Sequence, residues 1–294
     1  MTKPVLYTFD ISSLLGRVFK VEAPKDVIPT RQDAFFSGEP VFCLKPLRAM
    51  VENEIRRVEK MRNEKATHVA IVFDSLVDTI RHDIYPEYKA NRPPKPVEWS
   101  RQTELAYDMF KSLGFYCIRK DKYEADDLLA VFSKKAKTYN FVNVIFTGDK
   151  DILSCVNECV FVYSGGAKKL YGIKEVEEKM GVVPSKVIDL LSMKGDSADN
   201  IFGIKGVGET RAIEILKQHS FDQIVEDPNL LKLMGLKGAD SISNWILENK
   251  EEALLSKTLV SLMDDVELGA NLNQMVRQSP NYDAFLNGYM RPTA

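Results

Sequence analysis

Residues 68–74 read HVAIVFD. Five apolar positions run without a break, β-branched residues among them, and an aspartate follows at once. A run this short and this apolar reads as a strand buried on both faces. Two more stretches have the same form: VLYTFD at 5–10 and VNVIFTGD at 142–149. YCIR at 116–119 and CVFVY at 159–163 are further strand candidates, with KKLYG at 168–172 as a neighbour of the last. Helical patterns occupy 45–63, 98–113 and 123–138. Strands alternating with helices predict an α/β fold with a mostly parallel central sheet flanked by helices. After about residue 173 strand signals stop and short helices with Gly, Pro and Ser breaks take over. The expected organisation is an α/β domain over 1–173 and a helical domain over 174–294. The segments 24–40 and NRPPKP at 91–96 read as loops.

In open α/β sheets, sites form outside the carboxyl ends of the strands. Asp10, Asp74 and the Asp149/Asp151 pair are therefore expected to face one crevice. YEADDLLA at 123–130 adds Glu124, Asp126 and Asp127 in the first turn of a helix. The helix dipole favours acids there by only about 0.3–1 kcal/mol each, which does not offset so many like charges in one pocket. Bound divalent cations do. With no Cys or His at ligand spacing, the chemistry favours a hard ion, Mg²⁺ or Mn²⁺. Two ions about 3.5–4 Å apart would clamp a phosphodiester. Taken singly, an Asp after a strand is usually a cap or a turn residue. The pair in TGDKD also matches a phosphatase nucleophile motif. Four acidic clusters at one end of a sheet are harder to explain that way.

Further on, MKGDSADNIFGIKGVGETRA at 193–212 carries Asp196 and Asp199, then a glycine-rich turn and an amphipathic helix. Gly203, Gly206 and Gly208 allow a tight hairpin whose N–H groups approach a phosphate without reading sequence. Lys205 and Arg211 add charge. No strand leads into this turn, so it is not a dinucleotide fingerprint.

The chain has 294 residues, 45% of them hydrophobic, and a net charge of −2. That suffices for a packed core and argues against a nucleic-acid coat. The sign reverses locally, where Arg81, Lys89, Arg92, Lys95 and Arg101 share one span. Four cysteines without a CxxC pair read as reduced thiols of a cytoplasmic protein. No apolar run spans a membrane, and MTKPVLYTFD does not read as a secretory leader.

Taken together, FDISSLLGR, VFDS, RHDIYPEYKANRPPKP, YEADDLLA, FTGDKD and MKGDSADNIFGIKGVGETRA resemble one family over about residues 4 to 270. It is the 5′-nuclease (5′→3′ exonuclease and flap endonuclease) family. The likeness is strongest to the N-terminal nuclease domain of bacterial DNA polymerase I and extends to stand-alone phage enzymes. The resemblance implies a PIN/resolvase-like α/β domain followed by a helix–three-turn–helix. It implies two metal positions: Asp10, Asp74, Glu124 and Asp126 at the first, Asp149, Asp151 and Asp199 at the second, with Asp127 and Asp196 completing the acidic set. It places Lys89 and Arg92 on the scissile phosphate, with Asp126 beside them in catalysis. Arg17 and Arg81 match further DNA-binding positions, and Tyr88 matches an aromatic that stacks on an unpaired base. The hairpin at 203–208 resembles one that grips duplex DNA and holds a K⁺ ion.

The implied substrates are 5′ flaps, nicks and free 5′ ends, in DNA or RNA–DNA, during replication or repair. The chain is expected to act as a monomer, with any DNA polymerase a separate chain, in a bacterial cell or a phage-infected host. Two departures stand by the first cluster: Ile11 where the family has Gly, and Gly16 where polymerase-linked members carry Tyr. Neither removes a metal ligand. A flap- or junction-binding protein that does not cut is the alternative. Tyr88 as a packing residue and Arg81 as an ion-pair partner are alternatives at single positions.

Overall fold

The structure, a computed structural model, describes residues 3–22, 35–36, 39–40 and 43–281. Six strands form one sheet: β1 (Val5–Asp10), β2 (His68–Val72), β3 (Tyr116–Ile118), β4 (Val142–Phe146), β5 (Val160–Ser164) and β6 (Lys169–Tyr171). Their order is β3-β2-β1-β4-β5-β6, parallel except for β6. β6 returns as a hairpin on β5, pairing Ser164 with Lys169. β1 is central and buried at all six positions, Thr8 and Asp10 included, as a strand covered on both faces requires. Its register sets Asp10 beside Val72 and Phe9 beside Phe146, so the aspartates that follow these strands emerge at one edge. The strand order reverses between β1 and β4, which makes that edge the crevice of the sheet.

Alternation along β1 divides the core. Val5, Tyr7 and Phe9 face α1 (Ile11–Glu22), α2 (Leu44–Arg62) and α4 (Val97–Ser112), through Leu15, Leu47, Val51 and Phe110. Leu6, with Ala70, Val72 and Ile145, faces α5 (Ala125–Thr138) through Leu128, Leu129 and Phe132. This second cluster continues without a break into Val187, Leu190 and Leu191 and on to Ile215, Ile246 and Leu259.

The later helices are α6 (Ile173–Met180), α7 (Val187–Lys194), α8 (Glu209–Leu216), α9 (Phe221–Glu226), α10 (Leu230–Leu233), α11 (Ala239–Glu248) and α12 (Lys250–Val260). A two-residue antiparallel ladder, β7 (Gly195–Asp196) with β8 (Ile201–Phe202), lies between α7 and α8. Between β2 and α4 the chain forms a short helix, α3 (Ile80–Ile84), then a turn and an extended proline stretch at 93–96. Most of the expected loop at 24–40 lies outside the described residues, and Phe35–Phe36 pairs with Glu39–Pro40 within it.

Ile11 is fully buried, packed with Leu14 and Leu15. At Gly16 a Cβ would sit 3.4 Å from the Trp99 ring, so the aromatic fills the space over that turn. Among the described residues no helix is long and apolar enough to cross a membrane. The four cysteines form no disulfide, and burial pushes the Cys117 and Cys155 thiols up to about 12.

Candidate active site

The mouth of the sheet is built around the first turn of α5. Asp74 follows β2, and its Oδ1 accepts from the Ala125 amide at 2.9 Å, so the helix N-terminus docks on it. Its Oδ2 accepts from the Ser12 hydroxyl. Asp10 closes β1, buried at 6% exposure. It accepts from the Ser13 amide at 3.1 Å and from Thr147 Oγ1 at 2.8 Å. Thr147 Oγ1 also accepts from the Asp149 amide at 3.0 Å, which ties the first group of acids to the second. Asp149 Oδ1 in turn accepts from the Asp151 amide at 3.0 Å.

Charge in this mouth is under-compensated. Burial, then the Asp74 carboxylate, pushes Asp10 up to about 7. Burial, then Asp149, pushes Asp151 up to about 7. Asp126 is raised well above the usual carboxylate range by burial and then by Asp149, Asp10, Glu124 and Asp74 together. Asp151 Oδ1 is buried with no hydrogen-bond partner.

The other acids are neutralised by basic side chains. Lys89 Nζ pairs with Glu124 Oε1 and stands 3.8 Å from Asp199 Oδ2. Burial opposes its charge, but Glu124 and Asp199 outweigh burial and raise it. Arg92 pairs with Asp199 Oδ1 and donates to the Ala198 carbonyl at 3.1 Å. The backbone fixes this arrangement. Lys89 has φ 59, and its amide donates to the Asp199 carbonyl at 3.0 Å. Lys150 Nζ lies 2.8 Å from Asp196 Oδ2. Burial works against ionisation of Asp196, yet Lys150 prevails and holds it below the usual range.

Among the described residues no three His, Cys, Asp or Glu side chains close on one point at ligand distance. The donors that line the mouth are oxygens only, and one buried carboxylate oxygen lacks a partner. That donor set suits a hard divalent cation.

Three residues expected on metal or DNA are buried and make other contacts. Asp127 is fully buried and fully used. Its two oxygens accept from Arg81 NH2 at 2.7 Å and NH1 at 2.8 Å, from the Met263 amide at 2.9 Å and from the Glu124 amide at 3.0 Å. No lone pair is left facing the mouth. Arg81, expected on DNA, is 2% exposed; beyond Asp127 it donates to the Leu259 carbonyl at 2.9 Å, the Ser261 carbonyl at 2.8 Å and Glu124 Oε2 at 3.4 Å. Tyr88, expected to stack on a base, is 3% exposed and packs in the core. Its hydroxyl donates towards Glu124 Oε2 at 3.1 Å and Asp199 Oδ2 at 3.3 Å. The ring cannot reach an unpaired base, whereas the hydroxyl positions two carboxylates.

Arg17 is partly exposed beside the buried Glu54, at 3.6 Å, on a cavity of about 230 Å³ that shares Ser13, Thr147 and Gly148 with the Asp10 side of the mouth. Sequence reasoning missed Ser12, Ser13, Thr147 and Lys150. Their one local signal is adjacency to Asp10, Asp149 and Asp151.

The glycine hairpin stands beyond Asp199. A Cβ at Gly203 would lie 2.3 Å from the Gly195 amide nitrogen and 2.3 Å from the Met193 carbonyl oxygen, so only glycine fits. Ile204 anchors the turn through its amide, 2.7 Å from the Met193 carbonyl, and is buried with Val207. Lys205, Gly206 and Gly208 are exposed. Gly206 has φ 86, and its carbonyl accepts from Arg211 NH1. Gly203→Ala is expected to cost about 1–3 kcal/mol by overpacking. Gly166→Ala, which meets nothing within 4 Å, should stay within about 0.5 kcal/mol. Denaturant unfolding of both variants checks the pair; equal costs would contradict the close approach.

Two family profiles match consecutive parts of the chain. The profile for the 5′-3′ exonuclease, N-terminal resolvase-like domain, covers residues 6–181. That for the 5′-3′ exonuclease, C-terminal SAM fold, covers 182–283. DNA polymerase I of Rhizobium leguminosarum is 35% identical over 216 residues, 73% of this chain and 21% of that protein. The thermostable DNA polymerase I of Thermus filiformis is 32% identical over 246 residues, 84% of this chain and 28% of that one. The chain thus spans about a quarter of these polymerases. Among solved structures, the T5 D15 protein co-crystallised with metal ions superposes with a TM-score of 0.67 at 19% identity, over 88% of this chain and 90% of that one. The catalytic core of Rad2 in complex with DNA substrate gives 0.55 at 14%, over 97% and 87%. These two likenesses establish the fold. The profile over the sheet, the profile over the helical half and the shared segment with the polymerases agree: the chain belongs to the 5′-3′ exonuclease family.

Proposed function

We propose that this chain is a divalent-metal-dependent 5′ nuclease that hydrolyses phosphodiesters in flapped, nicked or 5′-ended DNA, in replication or repair. The observation that supports it best is the convergence of Asp10, Asp74, Asp126, Asp149 and Asp151 at one sheet mouth, with their charge left uncompensated. Asp10, Asp74, Glu124 and Asp126 would hold one cation. Asp149, Asp151 and Asp199 would hold a second, with Asp196 beside them. Mg²⁺ is the expected ion and Mn²⁺ a substitute. When bound, these ions supply Lewis acidity at the scissile phosphodiester and lower the pKa of water there.

Lys89 and Arg92 then have a second use. In the pairs described above they neutralise Glu124 and Asp199. With cations held by those carboxylates, the same ammonium and guanidinium would be free to face the phosphate, where developing charge needs donors. Water attacks phosphorus and the bond to the 3′ oxygen breaks, so the released flap ends in a 3′ hydroxyl and the strand left on the duplex carries the 5′ phosphate. Arg17, Lys205, Arg211 and the exposed amides of the 203–208 hairpin are the phosphate contacts that hold the duplex without reading its sequence. The carbonyls of that hairpin would hold K⁺. The division near residue 173 then separates a cutting part from a duplex-gripping part. Asp127, Arg81 and the Tyr88 ring stand outside this contact set.

The test is gel analysis of a 5′-flap duplex labelled at either end of the flap strand, with Mg²⁺ and with EDTA. Mg²⁺-dependent cutting near the junction is the expected result. Binding without product in Mg²⁺ or Mn²⁺ would remove the catalytic reading and leave a junction-binding module.

The proton balance gives a separate check. With Asp10 and Asp151 up to about 7, the folded metal-free state keeps protons that the unfolded state has released between about pH 4 and 7. Stability therefore falls as pH rises through that window and levels off above it. A cation competes with those protons, so added Mg²⁺ should raise Tm more at pH 8 than at pH 5. Thermal melts in EDTA and in Mg²⁺ at both pH values measure this, and Asp10→Asn should flatten the slope. An equal Mg²⁺ shift at both pH values would contradict it.

A further inference from the structure

Phe202 is 67% exposed, while its neighbour Ile201 is 6% exposed. Strand alternation sends one inward and the other out. The outward position is held from both sides. Phe202 pairs with Gly195 in the β7–β8 ladder. Before it, Asn200 is left-handed (φ 58), and its side-chain amide donates to the Glu87 carbonyl at 2.7 Å. After it, Gly203 is pressed against the Gly195 backbone. The backbone cannot shift to bury the ring. A phenyl group projects from a rigid mount, where a polar side chain would fit the solvent better.

Its position suggests what covers it. Asp199, three residues earlier, belongs to the acidic mouth and pairs with Arg92. Lys205, three residues later, is an exposed cation at the tip of the glycine hairpin. Each is at most about 10 Å away along the chain, or roughly three nucleotide steps of duplex at ~3.4 Å rise. A strand held at both places presents sugars and base edges in between, and those are its apolar surfaces. We infer that Phe202 is a contact residue for duplex DNA, packing on the deoxyribose and base edges between the hairpin and the acidic mouth. This rests on the duplex-gripping part of the proposed function and adds an apolar contact to its ionic ones.

The experiment is fluorescence anisotropy with a labelled 5′-flap duplex and a labelled single strand of the same sequence, in EDTA so that nothing is cut. Phe202→Ala should weaken duplex binding about tenfold, in line with the loss of one aromatic contact, and single-strand binding much less. Because the contact carries no charge, the slope of affinity against salt should not change. Phe202→Trp should restore affinity, and its emission, compared with the parent's own two tryptophans, should change when the duplex is added. The melting temperature of Phe202→Ala should stay within about 2 °C of the parent, since an exposed ring contributes little to folding. Parent-like duplex binding by Phe202→Ala would overturn the inference, as would emission from Phe202→Trp that stays blind to saturating duplex. Failure of the duplex-gripping part of that reading is told apart without any variant, because the parent itself would then bind no duplex.

Discussion

Asp126→Ala is expected to lower cleavage of a 5′-flap duplex in Mg²⁺ by on the order of a thousandfold or more, while duplex affinity in EDTA holds or rises. Asp126 sits where the fields of Asp149, Asp10, Glu124 and Asp74 overlap. Removing it subtracts a buried carboxylate on which the fields of both groups of acids act. It also removes one negative charge from a mouth that must admit phosphate, so binding has no electrostatic reason to weaken. A stability signature should accompany the kinetic one. A carboxyl group held above its unfolded pKa destabilises the metal-free fold at neutral pH. The variant should therefore melt higher than the parent in EDTA and gain less from Mg²⁺. Single-turnover cleavage, anisotropy and melting curves on one preparation test all three. Cleavage at the parental rate would refute the assignment of Asp126. Lost binding with unchanged chemistry on bound substrate would mark it as a DNA contact instead.

Arg81→Ala should be the most damaging single change to the fold. The pair with Asp127 is buried, bidentate and 2.7–2.8 Å in both bonds. Removing the guanidinium leaves a buried carboxylate and two carbonyls without their donors. The expected cost is about 3–5 kcal/mol, a drop in Tm of roughly 10 °C for a chain of this size. Arg81→Lys keeps the charge but loses the fork, so it should recover only part of this. The double variant Arg81→Met with Asp127→Leu should recover more, because no charge is left stranded. Circular-dichroism melts of the four proteins test this order. A single variant Arg81→Ala as stable as the parent would mean that water reaches the site.

The sheet could be read from the sequence because its strands are short, mostly apolar runs, and the acidic mouth because aspartates follow those runs. What could not be read was which acid turns inward. In YEADDLLA, Asp126 and Asp127 are chemically alike, and helix phase separates them. Asp127 lies three residues after the N-cap Glu124, folds back to its amide and meets Arg81. The spacing of the capping box was present in the sequence and marks Asp127 as a capping residue; its partner Arg81, 46 positions away, carried no such mark. Tyr88 misleads for the converse reason. Its neighbours in EYKANR are polar, but the turn that sets Lys89 against the Asp199 backbone carries the ring inward. The Lys150–Asp196 pair joins the two halves of the chain and leaves no periodic trace in either.

Arg81 has another consequence through the carbonyls of Leu259 and Ser261, which it binds at the end of α12. One guanidinium thus fastens the acidic turn of α5 to the helical half, over an apolar core that runs through both. The distance from the glycine hairpin to the acidic turn is then a constant of the molecule, in the way that the arm of a caliper is. On the reading proposed here, flap length and flap sequence should leave the point of incision unmoved relative to the duplex. A ladder of products from one flap would appear only when that arm is loosened, as in Arg81→Ala at temperatures just below its melting point.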